Sequence, residues 1–182
     1  MRRGGGHGWR GLFLAGLALV VAVGVTVPAE AILHQPGITV AMLIVLTLIL
    51  IGAAADMLAV AAAAASIPAL HSMAARRRPG AKVALALKRN ADRVVSISGD
   101  IVGDVAGTVS GAAAAAWAVA MAQRHGWSPT LSAALAVAVV AALTVGAKGT
   151  LKGVALEYAN LVLYAAGYIA YVAGGVVARG RR

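Results

Sequence analysis

Two aspartates stand one helical turn apart in a segment that is otherwise apolar. The segment reads SGDIVGDVAGTVSGA over residues 98–112 and contains Asp100 and Asp104. With Ser96 and Thr108 they form an i, i+4 series, which places four oxygen-bearing side chains on one face of an α-helix. Magnesium and other hard divalent cations take oxygen ligands from one or two carboxylates and usually keep bound water. The series therefore predicts a divalent-cation site.

A basic side chain is the alternative partner for these carboxylates. An ionised carboxylate at the centre of a membrane costs about 2.5–3.5 kcal/mol on insertion scales, so two of them require a compensating group. If the partner is not a cation in a wet cavity, it is one of three basic residues: Arg93, Lys148 or Lys152.

Two further oxygen-bearing residues lie in the preceding apolar run. Asp56 is surrounded by alanines, and it either faces the same cavity as Asp100 and Asp104 or pairs with a polar neighbour. Ser66 ends this run and is either a further ligand or a helix cap. The predicted metal ligands are Asp100, Asp104, Ser96, Thr108, Asp56 and Ser66.

The composition indicates a membrane protein. Of the 182 residues, 61% are hydrophobic and only 12% are charged, which is far more apolar than an average soluble domain. The chain has no cysteine, so disulfides and thiolate metal sites are excluded. The net charge of +10 comes from basic clusters between and beside the apolar runs, without interleaved aromatics. This pattern favours a bilayer over nucleic acid as the partner.

The apolar runs predict an all-α membrane bundle. Three of them predict core transmembrane helices at about 38–65, 94–121 and 130–146. The run at 154–177 contains Tyr164, Tyr168 and Tyr171 on one side, which favours a juxtamembrane helix. Residues 1–31 read either as a signal peptide cleaved after Ala31 or as a signal anchor. Residues 32–182 then form the transmembrane domain.

The basic residues predict the topology. They cluster at both ends of the chain, in the loop at 76–93 and after the third apolar run. Because loops rich in lysine and arginine stay on the cytoplasmic side, we expect a multi-pass protein of the plasma membrane with a cytoplasmic C-terminus.

Glycines repeat every four residues along the helix that carries the two aspartates. The positions are Gly99, Gly103, Gly107 and Gly111. Small residues at this spacing let a second helix approach closely in lipid. The ladder predicts tight helix packing, and we expect a homodimer to form through this helix.

The order of three motifs resembles a known family. SIPALHSMAA is followed by RPGAKVALALKRNADRV and then by SISGDIVGDVAGTVSGA, and this order is similar to the transmembrane domain of the CorC and cyclin-M (CNNM) magnesium and cobalt transporters. The resemblance covers about residues 38–171. It implies three spans with juxtamembrane helices, a dimer, and Mg²⁺ as the cation with Na⁺ as a coupling ion. It also implies that Asp100 and Asp104 occupy the positions of two ligand asparagines, and that Ser66 corresponds to a serine of the first span.

The third span departs from the family pattern. Where the family has a Gly-Glu-x-x-Pro-Lys-like motif with a cation-binding glutamate, this chain reads GAKGTLK, with Ala147 and Lys148. Lys148 is therefore a candidate to replace the cation. The CBS domains of the family have no counterpart here, and we expect their regulation to be absent.

Three functional hypotheses follow. The first is a divalent-cation transporter that holds the ion on its Asp, Ser and Thr side chains. The alternative is a non-transporting membrane scaffold or accessory subunit, with an Asp–Lys pair in place of the ion. An intramembrane aspartyl protease is disfavoured because Asp100 and Asp104 lie on one helix, whereas catalytic aspartates must meet across helices. We therefore expect no enzymatic activity.

Overall fold

The protein is helical throughout the part of the chain that the structure describes. The structure is a computed structural model that describes residues 5–33 and 38–179. It is 92% helical, and the described residues contain no strand. The residues outside this description are 1–4, 34–37 and 180–182. The two terminal ranges include part of the basic ends that were used to predict the topology.

Eight α-helices and one π-helical segment follow one another in the described residues. In chain order they are α1 (Gly5–Leu33), α2 (Ile38–Ala64), α3 (Ile67–Ala75), α4 (Ala81–Arg89), α5 (Ala91–Val94), the π-helical segment (Val95–Gly103), α6 (Asp104–His125), α7 (Pro129–Glu157) and α8 (Ala159–Arg179).

Three stretches of helix are long and apolar enough to cross a membrane, as the sequence predicted. They are Thr39–Ala64, Ala91–His125 and Pro129–Glu157. Shorter apolar helices cover Gly11–Val27 and Ala159–Gly174. Helices suit these sequences because a helix satisfies its own backbone hydrogen bonds where lipid offers none. The predicted fold class is confirmed.

The third of these helices is longer than predicted. The prediction ended it at residue 146, whereas α7 continues to Glu157. The continuation contains Gly149 and Gly153 but no proline, and isolated glycines weaken a helix without ending it. Lys148 and Lys152 therefore lie on a helix, one turn apart, and not in a loop.

The described residues form two compact units. The first unit comprises Met1–Ala54 and Asp100–Lys148, and the second comprises Ala55–Gly99 and Gly149–Arg182.

The first unit is held together by close contacts between its apolar helices. Helix α1 packs against α6. Helix α2 approaches α6 so closely at Gly52 that a Cβ there would lie 3.2 Å from the Cβ of Ala106. Ile49, Ala114 and Val140 form a buried core between α2, α6 and α7.

The second unit is organised around α4. This helix packs against α3 and α8, and the core includes the fully buried Leu70 and Leu163. Gly167 of α8 lies so close to α4 that a Cβ would come within 2.6 Å of the backbone nitrogen of Ala84. Only glycine fits at such a contact. The residues predicted as a juxtamembrane helix, 154–177, are the end of α7 followed by α8, and α8 packs on α4.

Candidate ion site

Asp104 is paired with a lysine. It is the first residue of α6, and its Oδ1 lies 3.2 Å from Nζ of Lys148 on α7. The Lys148 side chain is only 17% exposed, whereas the Asp104 side chain is 72% exposed. Lys148 therefore brings a positive charge to one of the two positions at which the sequence predicted a cation ligand.

The other members of the predicted oxygen stripe lie on the π-helical segment and on α6. Thr108 is exposed, and its hydroxyl donates to the backbone carbonyl of Asp104 at 2.9 Å, the common back-bond of a helical threonine. Asp100 is exposed, and Ser96 is half-buried. Both lie in the π-helical segment, whose i to i+5 bonding gives more residues per turn than an α-helix. The α-helical spacing assumed for the stripe therefore does not apply between Ser96 and Asp100.

The buried hydroxyl in the π-helical segment belongs to Ser98 and not to the predicted ligand Ser96. Ser98 is buried, and its Oγ donates to the carbonyl oxygen of Val94 at 2.7 Å. Ser98 was not among the predicted ligands, because the α-helical period placed it on another face. Its hydrogen bond compensates the cost of burying its hydroxyl and assigns it no role with an ion.

Asp56 is also paired with a lysine. Its Oδ2 lies 3.3 Å from Nζ of Lys152, and its side chain is only 10% exposed. Gly99 lies beside it, since a Cβ at Gly99 would be 3.5 Å from Asp56 Oδ1. The polar neighbour that the sequence required for Asp56 is therefore the Lys152 ammonium.

Ser66 lies at a helix boundary. It occupies the N-cap position of α3 in an extended conformation, and its side chain makes no capping bond. Its backbone N–H donates to Oδ1 of Asn160 at 2.7 Å. Ser66 is exposed and lies in the connection between α2 and α3, where Asn160 holds its backbone.

The predicted ligands are divided between the two units. Asp100, Asp104 and Thr108 belong to the first, whereas Asp56, Ser66 and Ser96 belong to the second. Within residues 5–33 and 38–179, no three His, Asp or Glu side chains come together as a metal site would require.

The position of the Asp104–Lys148 pair along its helices explains how charged groups are tolerated. Asp104 lies about 20 residues, or about 30 Å, from His125 at the other end of α6. Lys148 lies at a similar distance from Pro129, where α7 begins. A hydrocarbon core is about 30 Å thick, so a core that began at His125 and Pro129 would end close to both groups. The exposed Asp104 carboxylate would then reach water, and the pair would avoid the full cost of burial in lipid.

Sequence reasoning missed two polar contacts of the second unit. Lys88 Nζ donates to the carbonyl oxygens of Ala62 and Ala63 at 3.0 and 2.7 Å, and so satisfies the C-terminal end of α2. Asn160 likewise binds the backbone of Ser66. The pairing of Lys152 with Asp56 had a signal in the sequence, because Lys148 and Lys152 lie four residues apart, which places two ammonium groups on one face of a helix. Lys152 was instead considered as a partner of Asp100 or Asp104.

The fold is α-helical, with three helices long and apolar enough to cross a membrane and with two aspartates on them paired with lysines. Comparisons of the chain with protein-family models, with curated proteins and with solved structures find no match.

Proposed function

We propose that this chain is a non-transporting membrane scaffold or accessory subunit in which lysines take the place of a bound divalent cation. The observation that supports it is the 3.2 Å contact between Lys148 Nζ and Asp104 Oδ1. The resemblance to the CorC and cyclin-M transmembrane domain is part of this proposal. Lys148 lies in GAKGTLK, the region in which that family carries its cation-binding glutamate.

Charge balance favours this proposal over a resident ion. A divalent cation between helices needs negative or neutral oxygen ligands, and an ammonium at the same position repels it. Asp56 and Asp104 each have a lysine within 3.3 Å, so both carboxylates are already neutralised by α7. The two lysines then act as fixed structural cations that hold α7 against the acids of α2 and α6.

Divalent-cation transport is the second candidate, and one observation favours it. The carboxylates of Asp100, in the π-helical segment, and of Asp104, at the start of α6, are both exposed. Exposed carboxylates can bind Mg²⁺ with most of its water retained, and π-helical turns occur often at functional sites. In this case Mg²⁺ would be the cargo and Na⁺ its coupling ion, and Lys148 would move away as the cation binds.

Flux into proteoliposomes separates the two candidates. Protein purified in detergent is reconstituted into liposomes that enclose a Mg²⁺-sensitive dye. Wild type is compared with Asp104→Asn and with Gly111→Ala, a matched control on the same helix. The scaffold proposal predicts that all three equal protein-free liposomes. Mg²⁺ entry with wild type and Gly111→Ala that is lost with Asp104→Asn would establish transport instead.

The location and partners belong to the same proposal. We place the protein in the plasma membrane with its C-terminus in the cytoplasm, because the basic loops carry most of the lysines and arginines. We propose a homodimer through the glycine-bearing helix, and no catalytic role. A reporter enzyme fused to the C-terminus tests the orientation, and activity of a periplasm-dependent reporter there would contradict it.

A further inference from the structure

A cluster of basic side chains lies in the connection between two of the stretches that are long and apolar enough to span. The first stretch ends at Ala64 and the next begins at Ala91. A connection between two spanning helices begins and ends where the chain leaves the hydrocarbon, beside the lipid headgroups. Asp92 is the acidic residue of this region, and its basic residues are Arg76, Arg77, Arg78, Lys82, Lys88, Arg89 and Arg93.

Three consecutive arginines of this cluster, Arg76, Arg77 and Arg78, form an arginine triplet between α3 and α4. All three are exposed, and their backbone N–H groups donate to carbonyl oxygens of α3. Their side chains form no ion pair or hydrogen bond with any other residue that the structure describes. Lys88 differs, because its ammonium is bound by the last carbonyls of α2. The triplet therefore presents guanidinium donors that the described part of the chain does not use.

The backbone of Arg77 indicates that this residue is present for its side chain. Arg77 has a φ of 53°, and among the described residues it is the one non-glycine residue with a positive φ. Left-handed backbone favours glycine and asparagine and is strained for other residues. Strained backbone of this kind occurs often at functional positions. Asparagine would form this turn with less strain, so what arginine adds here is its positive charge.

Two exposed tyrosines lie beside the triplet within the second unit. Gly80, two residues after Arg78, packs so closely on α8 that a Cβ would come within 2.5 Å of the Cα of Tyr168. Tyr168 and Tyr171 are both exposed on α8. Tyrosine is enriched at membrane–water interfaces, where its ring lies at the level of the headgroups. The tyrosines therefore support placing the triplet at the same level.

An anionic phospholipid has the chemistry that this surface recognises. Guanidinium groups bind phosphate oxygens through paired N–H donors. Basic clusters at the ends of membrane helices attract anionic lipids, and each arginine adds to the attraction. Basic loops also determine topology, but that role depends on charge alone. It requires neither a strained backbone nor tyrosines beside the arginines.

We propose that the arginine triplet binds the phosphate of an anionic phospholipid of the surrounding membrane, with Arg77 as the central contact. The proposal is independent of the proposed function, because it uses neither of the Asp–Lys pairs.

Titration with short-chain lipids tests the proposal on the purified full chain. The chain has no cysteine, so Ala75→Cys, at an exposed position beside the triplet, accepts a single environment-sensitive fluorophore. The labelled protein in a non-ionic detergent is titrated with dioctanoyl phosphatidylglycerol and with dioctanoyl phosphatidylcholine. We expect saturable binding of phosphatidylglycerol and binding of phosphatidylcholine that is weaker by at least about tenfold.

Arg77→Asn separates lipid binding from folding. Asparagine suits the left-handed backbone, so this variant should unfold no more easily than wild type, whereas its affinity for phosphatidylglycerol should fall about fivefold. Arg78→Gln, at a position without a positive φ, should lower the affinity to a similar extent. Arg124→Asn is the matched control, because Arg124 is an exposed arginine in the last turn of α6. It should leave the affinity unchanged.

Several results would overturn the proposal. Equal affinity for the two lipids, or an equal loss of affinity in Arg77→Asn and Arg124→Asn, would show that the triplet does not bind the lipid phosphate. The same saturable response to inorganic phosphate at the same concentrations would assign the triplet to a free anion. Tighter binding of a single-stranded RNA than of phosphatidylglycerol would assign it to nucleic acid.

Discussion

In the Asp56–Lys152 pair the carboxylate is the buried partner, whereas in the Asp104–Lys148 pair the ammonium is. The Asp56 side chain is 10% exposed and Lys152 is 47% exposed, whereas Lys148 is 17% exposed and Asp104 is 72% exposed. The chemistry of the two pairs is the same, and the contact distances differ by only 0.1 Å. The buried charge is therefore the carboxylate in one pair and the ammonium in the other.

This difference determines what each pair can do. Removing one member of an ion pair is costly when the remaining charge is buried and cheap when it is exposed. Asp56 is the buried member of its pair, which suits that pair to a structural role in the second unit. In the first unit Lys148 is the buried member, and the exposed carboxylate of Asp104 remains accessible to water and to other cations.

The largest expected effect comes from removing Lys152. Lys152→Met takes the ammonium away from the buried Asp56 carboxylate and should lower the unfolding free energy by about 3 kcal/mol. SDS titration of the protein in detergent micelles measures this change. The double variant Asp56→Asn, Lys152→Met should recover most of the loss, since no buried charge remains. A loss equally large in the double variant would mean that Lys152 acts through another contact.

A smaller effect is expected when Asp104 is changed. Asp104→Asn removes the negative charge beside Lys148 but keeps an amide oxygen as a hydrogen-bond acceptor for the ammonium, so the loss should be about 1 kcal/mol. The same titration measures it, with Asp100→Asn as the control, because Asp100 is exposed and is not the partner of Lys148. If Asp100→Asn were the more damaging of the two, the assignment of the pair would be wrong.

A similarly small effect tests the surroundings of Asp56. Gly99→Ala adds a Cβ that would lie 3.1 Å from the Cβ of Ala59 and 3.5 Å from Asp56 Oδ1. Gly111→Ala adds one with nothing within 4 Å and gains helix propensity. We expect Gly99→Ala to be less stable than Gly111→Ala by about 1 kcal/mol in the same titration. Equal stability would show that Asp56 has more room than the contacts indicate.

The sequence predicted the helices well and the Asp–Lys pairs only in part. Hydrophobic length alone predicted the three spanning helices, because lipid admits few other backbone conformations. The end of α7 was missed because the predicted span was ended where the apolar run gives way to Lys148 and Lys152. The glycine ladder divides in the structure, since Gly99 contacts a neighbouring helix while Gly111 has nothing within 4 Å.

The pairing of specific charges required three-dimensional contacts. Lys148 was predicted as a possible partner of Asp100 or Asp104, and the structure pairs it with Asp104. The π-helical segment changes the angular offset before Asp104, and no residue pattern in SISGDIVG indicated that turn. Sequence spacing therefore could not decide which oxygens of the predicted stripe lie on one face.

The central claim is that Lys148 takes the place of a divalent cation at Asp104. Isothermal titration of detergent-solubilised protein with MgCl₂ tests it most directly. Wild type is compared with Lys148→Met, which keeps most of the length of the side chain and removes its charge. We predict no saturable Mg²⁺ binding in wild type and a gain of binding in Lys148→Met that is lost again in Lys148→Met, Asp104→Asn. Saturable binding in wild type that Asp104→Asn abolishes would contradict the claim and establish the carboxylate as a cation ligand.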